Sequence, residues 1–158
     1  MKLALIAAAA MVLAPVAHAQ QTGCPLIKSI VAGASGGFND LRGEEIDEDW
    51  YDSKVWLADA EECAIELSDG AEFYCTWGFP NPAAASSKTV FLSEAVKLCL
   101  PDWKVEDIAG RKSLNNLTIN KGVAMTGSGP GKDTVLEVFA ETYENSQETM
   151  AWISVRQR

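Results

Sequence analysis

Four cysteines in a chain of 158 residues constrain this fold more than any other feature. They stand at Cys24, Cys63, Cys75 and Cys99. No Cys-x-x-Cys occurs, which argues against a thioredoxin-like redox pair. Their spacing offers no close pair of zinc ligands either. An even count in an exported chain reads as two disulfides. Four cysteines allow three pairings, and local pattern chooses among them. Residues 63–67 and 71–75 both alternate apolar and polar, with Ser68-Asp69-Gly70 between them. A three-residue loop with Gly at the left-handed position places Ile65 opposite Phe73 and Cys63 opposite Cys75. Directly opposed strand residues have Cα atoms roughly 4.5–5.5 Å apart, within reach of a disulfide. The expected bridges are therefore Cys63–Cys75 and Cys24–Cys99. The second closes a loop of about 75 residues and is worth ~4 kcal/mol on the chain-entropy account.

The first residues supply the case for export. Met1-Lys2 gives a positive start, Leu3 to Ala14 is an apolar run of 12 residues, and Pro15 breaks it. Ala17-His18-Ala19 then places small residues where a signal peptidase reads them, so the expected cut follows Ala19. A bilayer-spanning helix needs roughly 20 apolar residues, so a signal peptide fits better than an anchor. A lipoprotein cut before Cys24 would leave one cysteine unpaired. The expectation is a signal peptide over 1–19, one domain over 20–158, and a periplasmic or secreted location with no membrane insertion.

Charge narrows the partners. The formal net charge is −9. Loss of residues 1–19 removes Lys2 and no acid, which takes −9 to −10. Phosphate backbones and anionic lipid repel such a surface, so nucleic acid is not an expected partner. A cationic protein partner would be steered toward it.

Periodicity suggests an α+β fold, an antiparallel sheet with two helices packed on one face. The first helix starts at Cys24-Pro25 and carries Leu26, Ile27, Ile30, Val31, Ala34, Phe38 and Leu41 at helical spacing. Gly36-Gly37 either breaks it or admits a neighbouring backbone. Residues 44–53 read as an acidic loop. Residues 55–67 and 71–77 read as a hairpin. Its core face holds Cys63, Ile65, Leu67, Phe73, Cys75 and Trp77, and its wet face holds Glu62, Glu66, Glu72 and Thr76. A second helix over 87–100 turns Phe91, Leu92, Ala95, Val96 and Cys99 inward, and Pro101 stops it. Strands follow over 103–108, 117–120, 123–126, 134–142 and 149–155, with Glu144-Asn145-Ser146 as a turn.

The chemistry is defined mainly by exclusion. The single histidine is His18, inside the segment expected to be cleaved. Without imidazole, Ser-His-Asp and Cys-His catalysis and histidine metal sites are unavailable. No Ser stands three residues before a Lys, so the Ser-x-x-Lys pattern is absent. The run from Gly127 to Lys132 resembles a phosphate loop, but Thr126 replaces its first Gly and Asp133 its Ser or Thr. A connection between strands is the better reading. No catalytic residue, cofactor or metal ligand is therefore assigned. Asn116-Leu117-Thr118 is a formal glycosylation sequon.

Carboxylates are the remaining resource. Glu44, Glu45, Asp47, Glu48, Asp49 and Asp52 crowd one segment beside Trp50 and Tyr51. The segment lacks the Gly and the terminal Glu of an EF-hand. Aromatics rimmed by charge are what protein interfaces use, so Asp47, Glu48, Asp49, Trp50 and Tyr51 are the candidate partner-binding residues. The favoured function is a non-enzymatic protein-binding module of the envelope: an inhibitor, an immunity-type protein or a secretion accessory. The alternative is a small carboxylate-based hydrolase of envelope polysaccharide, which requires one of these acids to be buried.

Overall fold

A computed structural model describes residues 23–127, 133–143 and 148–158. The expected signal peptide, most of the glycine-rich run (residues 128–132) and the 144–146 turn lie outside the described residues.

Among the described residues, eight strands form one antiparallel sheet in the order β1-β2-β3-β4-β8-β7-β6-β5. They are β1 (Arg42–Asp47), β2 (Trp50–Ser53), β3 (Glu62–Glu66), β4 (Glu72–Phe79), β5 (Lys104–Asp107), β6 (Ile119–Thr126), β7 (Thr134–Thr142) and β8 (Thr149–Gln157). Two meanders, β1 to β4 and β5 to β8, therefore meet where β4 pairs with β8. Helix α1 (Cys24–Gly33) precedes the first meander, and α2 (Pro82–Cys99) links the two.

Both disulfides form as the pattern predicts. Cys63 and Cys75 are register partners with Cα atoms 4.1 Å apart, and Cys24 and Cys99 approach to 4.9 Å. The loop between β3 and β4 has the expected left-handed glycine, Gly70, at φ 106°. The main core joins Leu26, Ile27 and Ile30 of α1 with Val96 and Cys99 of α2. Its strand members include Ile65, Phe73, Met125, Leu136, Val138 and Ile153. Strands β7 and β8 lie in the sheet interior and read as nearly continuous buried runs, as expected where both faces are covered.

Several expectations are corrected. The acidic segment is not a loop. Residues 42–53 form the β1–β2 hairpin, turned by Glu48-Asp49, with Asp49 in the left-handed region at φ 62°. Short polar side chains tolerate that region by bonding locally. The first helix ends at Gly33, and two single 3₁₀ turns carry the chain to Leu41, with Gly37 left-handed between them. The strand expected over 55–67 begins only at Glu62. The second helix starts earlier, at Pro82, because the Asn81 side chain accepts from the Ala84 amide and caps it. The segments expected at 117–120 and 123–126 are one strand, β6. Its Gly122 is required, since a Cβ there would sit 2.7 Å from the Phe139 Cβ. The face expected to be wet is only partly so. Thr76 is buried and Glu62, Glu66 and Glu72 are half-buried, because residues 108–119 fold over part of it.

Candidate functional site

The hairpin places the predicted partner-binding residues at one sheet edge. Asp47, Glu48 and Asp49 cluster at its turn and are exposed. The Glu48 amide donates to Asp47 Oδ1 at 2.8 Å, which tightens that turn. The two aromatics do not act together. Consecutive strand residues point to opposite faces. Tyr51 packs against the main core, with the Arg42 guanidinium 5.2 Å from its ring centroid. Trp50 lies on the other face, 6.1 Å from the Tyr74 ring. None of the hairpin carboxylates is enclosed: Glu44 and Glu45 are exposed like the turn acids. Asp52 is half-buried and accepts from the Ser53 amide. A charged outermost strand also blocks unwanted strand addition, and β5 at the opposite edge is likewise exposed and charged.

A second surface was missed from sequence. Helix α2 buries its small and hydroxyl-bearing side: Ala85, Thr89, Ser93, Val96 and Cys99. The buried hydroxyls are satisfied within the helix. Thr89 Oγ1 donates to the Ala85 carbonyl at 3.0 Å, and Ser93 Oγ to the Thr89 carbonyl at 2.7 Å. The bulky side chains face out instead. Phe91 is 66% exposed and Leu98 80%, with Val90 beside them. Lys88 Nζ lies 4.9 Å from the Trp77 ring and 5.9 Å from that of Phe91, and Lys97 pairs with Glu94 at 2.9 Å. The expectation that Phe91 packs inward is therefore overturned. The cysteine alone did not hold the signal. Successive residues turn by about 100°, so Thr89 and Phe91 lie equally far round the helix from Cys99 on opposite sides, and packing took the side of Ala85, Thr89 and Val96.

The third feature is a groove of about 880 Å³ on the face that carries Trp50. A row of rings crosses that face through Trp50, Tyr74, Trp152 and Phe139, with centroids 5.5–6.1 Å apart. Burial, then the Glu62 carboxylate to which its hydroxyl donates, raises the Tyr74 phenol above its ordinary range. Beside the rings runs a charged row. Arg156 Nη1 lies 2.7 Å from Glu137 Oε2 and 3.8 Å from Glu72 Oε1. Burial raises the Glu72 carboxyl above its ordinary value, against the pull of a hydrogen bond with Ser154 and of the Arg156 charge. Residues 108–118 arch over this row. Asn115 Nδ2 ties the arch down by donating to Glu141 Oε1 at 3.0 Å and to the Tyr143 hydroxyl at 3.3 Å. Arg111 bonds to Glu106 at its base. Under the arch lies a recess of about 110 Å³, and Glu72, Arg111, Leu114, Glu137 and Arg156 line both spaces.

The chain matches no protein-family model, no curated protein and no solved structure. Its function is therefore argued from its own geometry. Among the described residues no cluster of His, Cys, Asp or Glu is arranged to hold a metal ion.

Proposed function

We propose that the protein is an exported, non-enzymatic protein-binding module, acting as an inhibitor, an immunity-type protein or a secretion accessory. The observation that carries this reading is the outward stripe of Val90, Phe91 and Leu98 on α2. A helix that buries threonine and serine while exposing phenylalanine and leucine is built for a second contact, since large apolar anchors dominate binding energy at interfaces. The partner is a protein with an apolar patch and basic residues around it. The acidic β1–β2 turn steers it in, and the Asp47, Glu48, Asp49 and Trp50 edge belongs to the encounter rather than to the anchor. Tyr51 supports that hairpin from the core side.

Export rests on the pattern of residues 1–19 and on two disulfides, which persist in oxidising compartments. Among the described residues no helix is long and apolar enough to cross a membrane. A single apolar cluster that joins residues of both helices to strand residues of one parity supports the reading that both pack on one side of the sheet. A second reading, a carboxylate hydrolase of envelope polysaccharide, has one observation in its favour: Glu72, outside the acidic hairpin, is a half-buried acid whose carboxyl is raised above its ordinary value. It ranks lower because its neighbour Glu137 is already bound to Arg156.

The test is capture of envelope proteins on oxidised residues 20–158, washed at low and then high salt. Wild type retains a basic partner. Phe91→Ser with Leu98→Ser abolishes retention, and reversing Asp47, Glu48 and Asp49 to Lys slows association. Retention indifferent to both sets of changes rejects the proposal.

A further inference from the structure

Charge is not spread evenly over the molecule. The helices α1 and α2 carry Lys28, Lys88 and Lys97 against Glu94 alone, a net charge of +2. The β1–β2 hairpin carries Glu44, Glu45, Asp47, Glu48, Asp49 and Asp52 against Arg42 alone, a net charge of −5. Each region also exposes large apolar side chains. Val90, Phe91 and Leu98 stand out from α2, while the hairpin exposes Ile46 at 58% and Trp50 at 37%. The molecule thus has two apolar patches beside charge of opposite sign. Among the described residues, neither Lys88 nor any of the six hairpin acids belongs to an ion pair. Lys88 Nζ lies instead near the Trp77 and Phe91 rings, at the foot of the exposed stripe.

The two patches cannot satisfy each other within one chain. Helix α2 packs on β4, β6, β7 and β8, whereas the hairpin forms the far edge of the sheet beyond β3. Pairing of two sheet edges is not the route either. Register shifts interrupt β1 on both sides of Glu45, and both outer strands are charged, which disfavours strand addition. A contact through side chains remains. Phe91 and Leu98 are seven residues apart, so they stand about 10 Å apart along one line of the outward face. A two-stranded hairpin, with strands about 4.8 Å apart, fits across that span. The net charge of −9 holds copies apart at long range. At physiological ionic strength screening limits this to about 8 Å, so the local match of lysine to carboxylate decides at contact.

We propose that the acidic β1–β2 hairpin of one copy docks on the outward face of α2 of a second copy. Ile46 and Trp50 pack against Phe91 and Leu98, and the hairpin acids meet Lys88 and Lys97. The inference rests on the reading of the α2 stripe as an anchor, and a second copy offers the apolar patch and neighbouring bases which that reading asks of a partner. The contact joins two different surfaces, so every copy carries one of each.

Sedimentation equilibrium of the oxidised protein at physiological ionic strength tests this, from about 10 µM to about 1 mM. The wild type should rise above monomer mass across that range. Phe91→Ser with Leu98→Ser should weaken association at least about tenfold, and so should Asp47→Lys, Glu48→Lys and Asp49→Lys together. All five positions are exposed, and near-ultraviolet circular dichroism checks that each variant is folded. A mixture of the two variants is the sharper test. The α2 variant still offers a hairpin and the hairpin variant still offers α2, so together they should form a one-to-one complex that neither forms alone. A wild type that stays monomeric at every concentration overturns the proposal. So does association that either set of changes leaves intact, or a mixture that restores nothing. If a monomeric wild type captures a different envelope protein through Phe91 and Leu98, the protein-binding reading stands and the second copy is rejected as its partner. Neither capture nor self-association rejects both.

Discussion

The described residues form two apolar clusters, and they are built on different terms. The larger one joins α1, α2 and the middle strands and encloses Cys63, Cys75 and Cys99. The smaller one has four buried members, Ile108, Ile119, Ala124 and Phe139, with Trp152 against them. Charged residues of the groove border it directly. The large cluster supplies stability. The small one does little more than seat the arch of 108–118, which is what a surface over a polar recess requires. Thin local packing is where proteins place the parts that contact ligands.

The widest separation between the two regions should come from the covalent link. Replacing Cys24 and Cys99 with Ala should lower the unfolding free energy by about 4 kcal/mol in a denaturant titration, because the bridge spans 75 residues. A loss under about 1 kcal/mol would mean that packing alone holds the two helices together. Next, Ile30→Ala in the large cluster should cost about 3 kcal/mol, with Ile108→Ala costing less because the arch above it is free to settle. Equal losses would erase the distinction between the clusters. Phe91→Ala should change stability by no more than about 0.5 kcal/mol, since its ring touches neither cluster.

The smallest effect is one of pH. The Glu72 carboxyl is raised above 4.5 in the folded chain, mainly by burial. Between its unfolded and folded values the native state therefore holds a proton that the unfolded chain has released. Stability contributed through this group is present at low pH and is lost as pH rises through the raised value. Melting temperature followed against pH should show that decline in the wild type and a flatter profile in Glu72→Gln. The same slope in both would place the titrating group elsewhere.

The sequence made some of this legible, and the reasons differ by element. The β3–β4 register and both disulfides were readable because alternation and a left-handed glycine act locally. Helix α1 was readable because Leu26, Ile27 and Ile30 form a plain inward stripe. Helix α2 was not, because apolar residues surround it and tertiary packing chose the small side. The β1–β2 hairpin was hidden by its charge: at a sheet edge one side of each strand meets water, so acids are tolerated where β-propensity alone would read a loop. The groove was invisible, since Glu72, Glu137 and Ser154 are brought together only by the pairing of β4, β8 and β7.

That pairing also governs the order of assembly. Strand β4 finds its central partner in β8, the last nine residues but one of the chain, from Thr149 to Gln157. Until they arrive, β4 and β7 each present an open edge, and the two meanders have nothing to join them. Contacts so distant along the chain slow folding and leave unpaired strands exposed meanwhile. Pairing of β8 thus acts as the closing step of folding. A chain in which β8 cannot pair would be expected to keep its local hairpins yet behave as two halves seeking a missing strand.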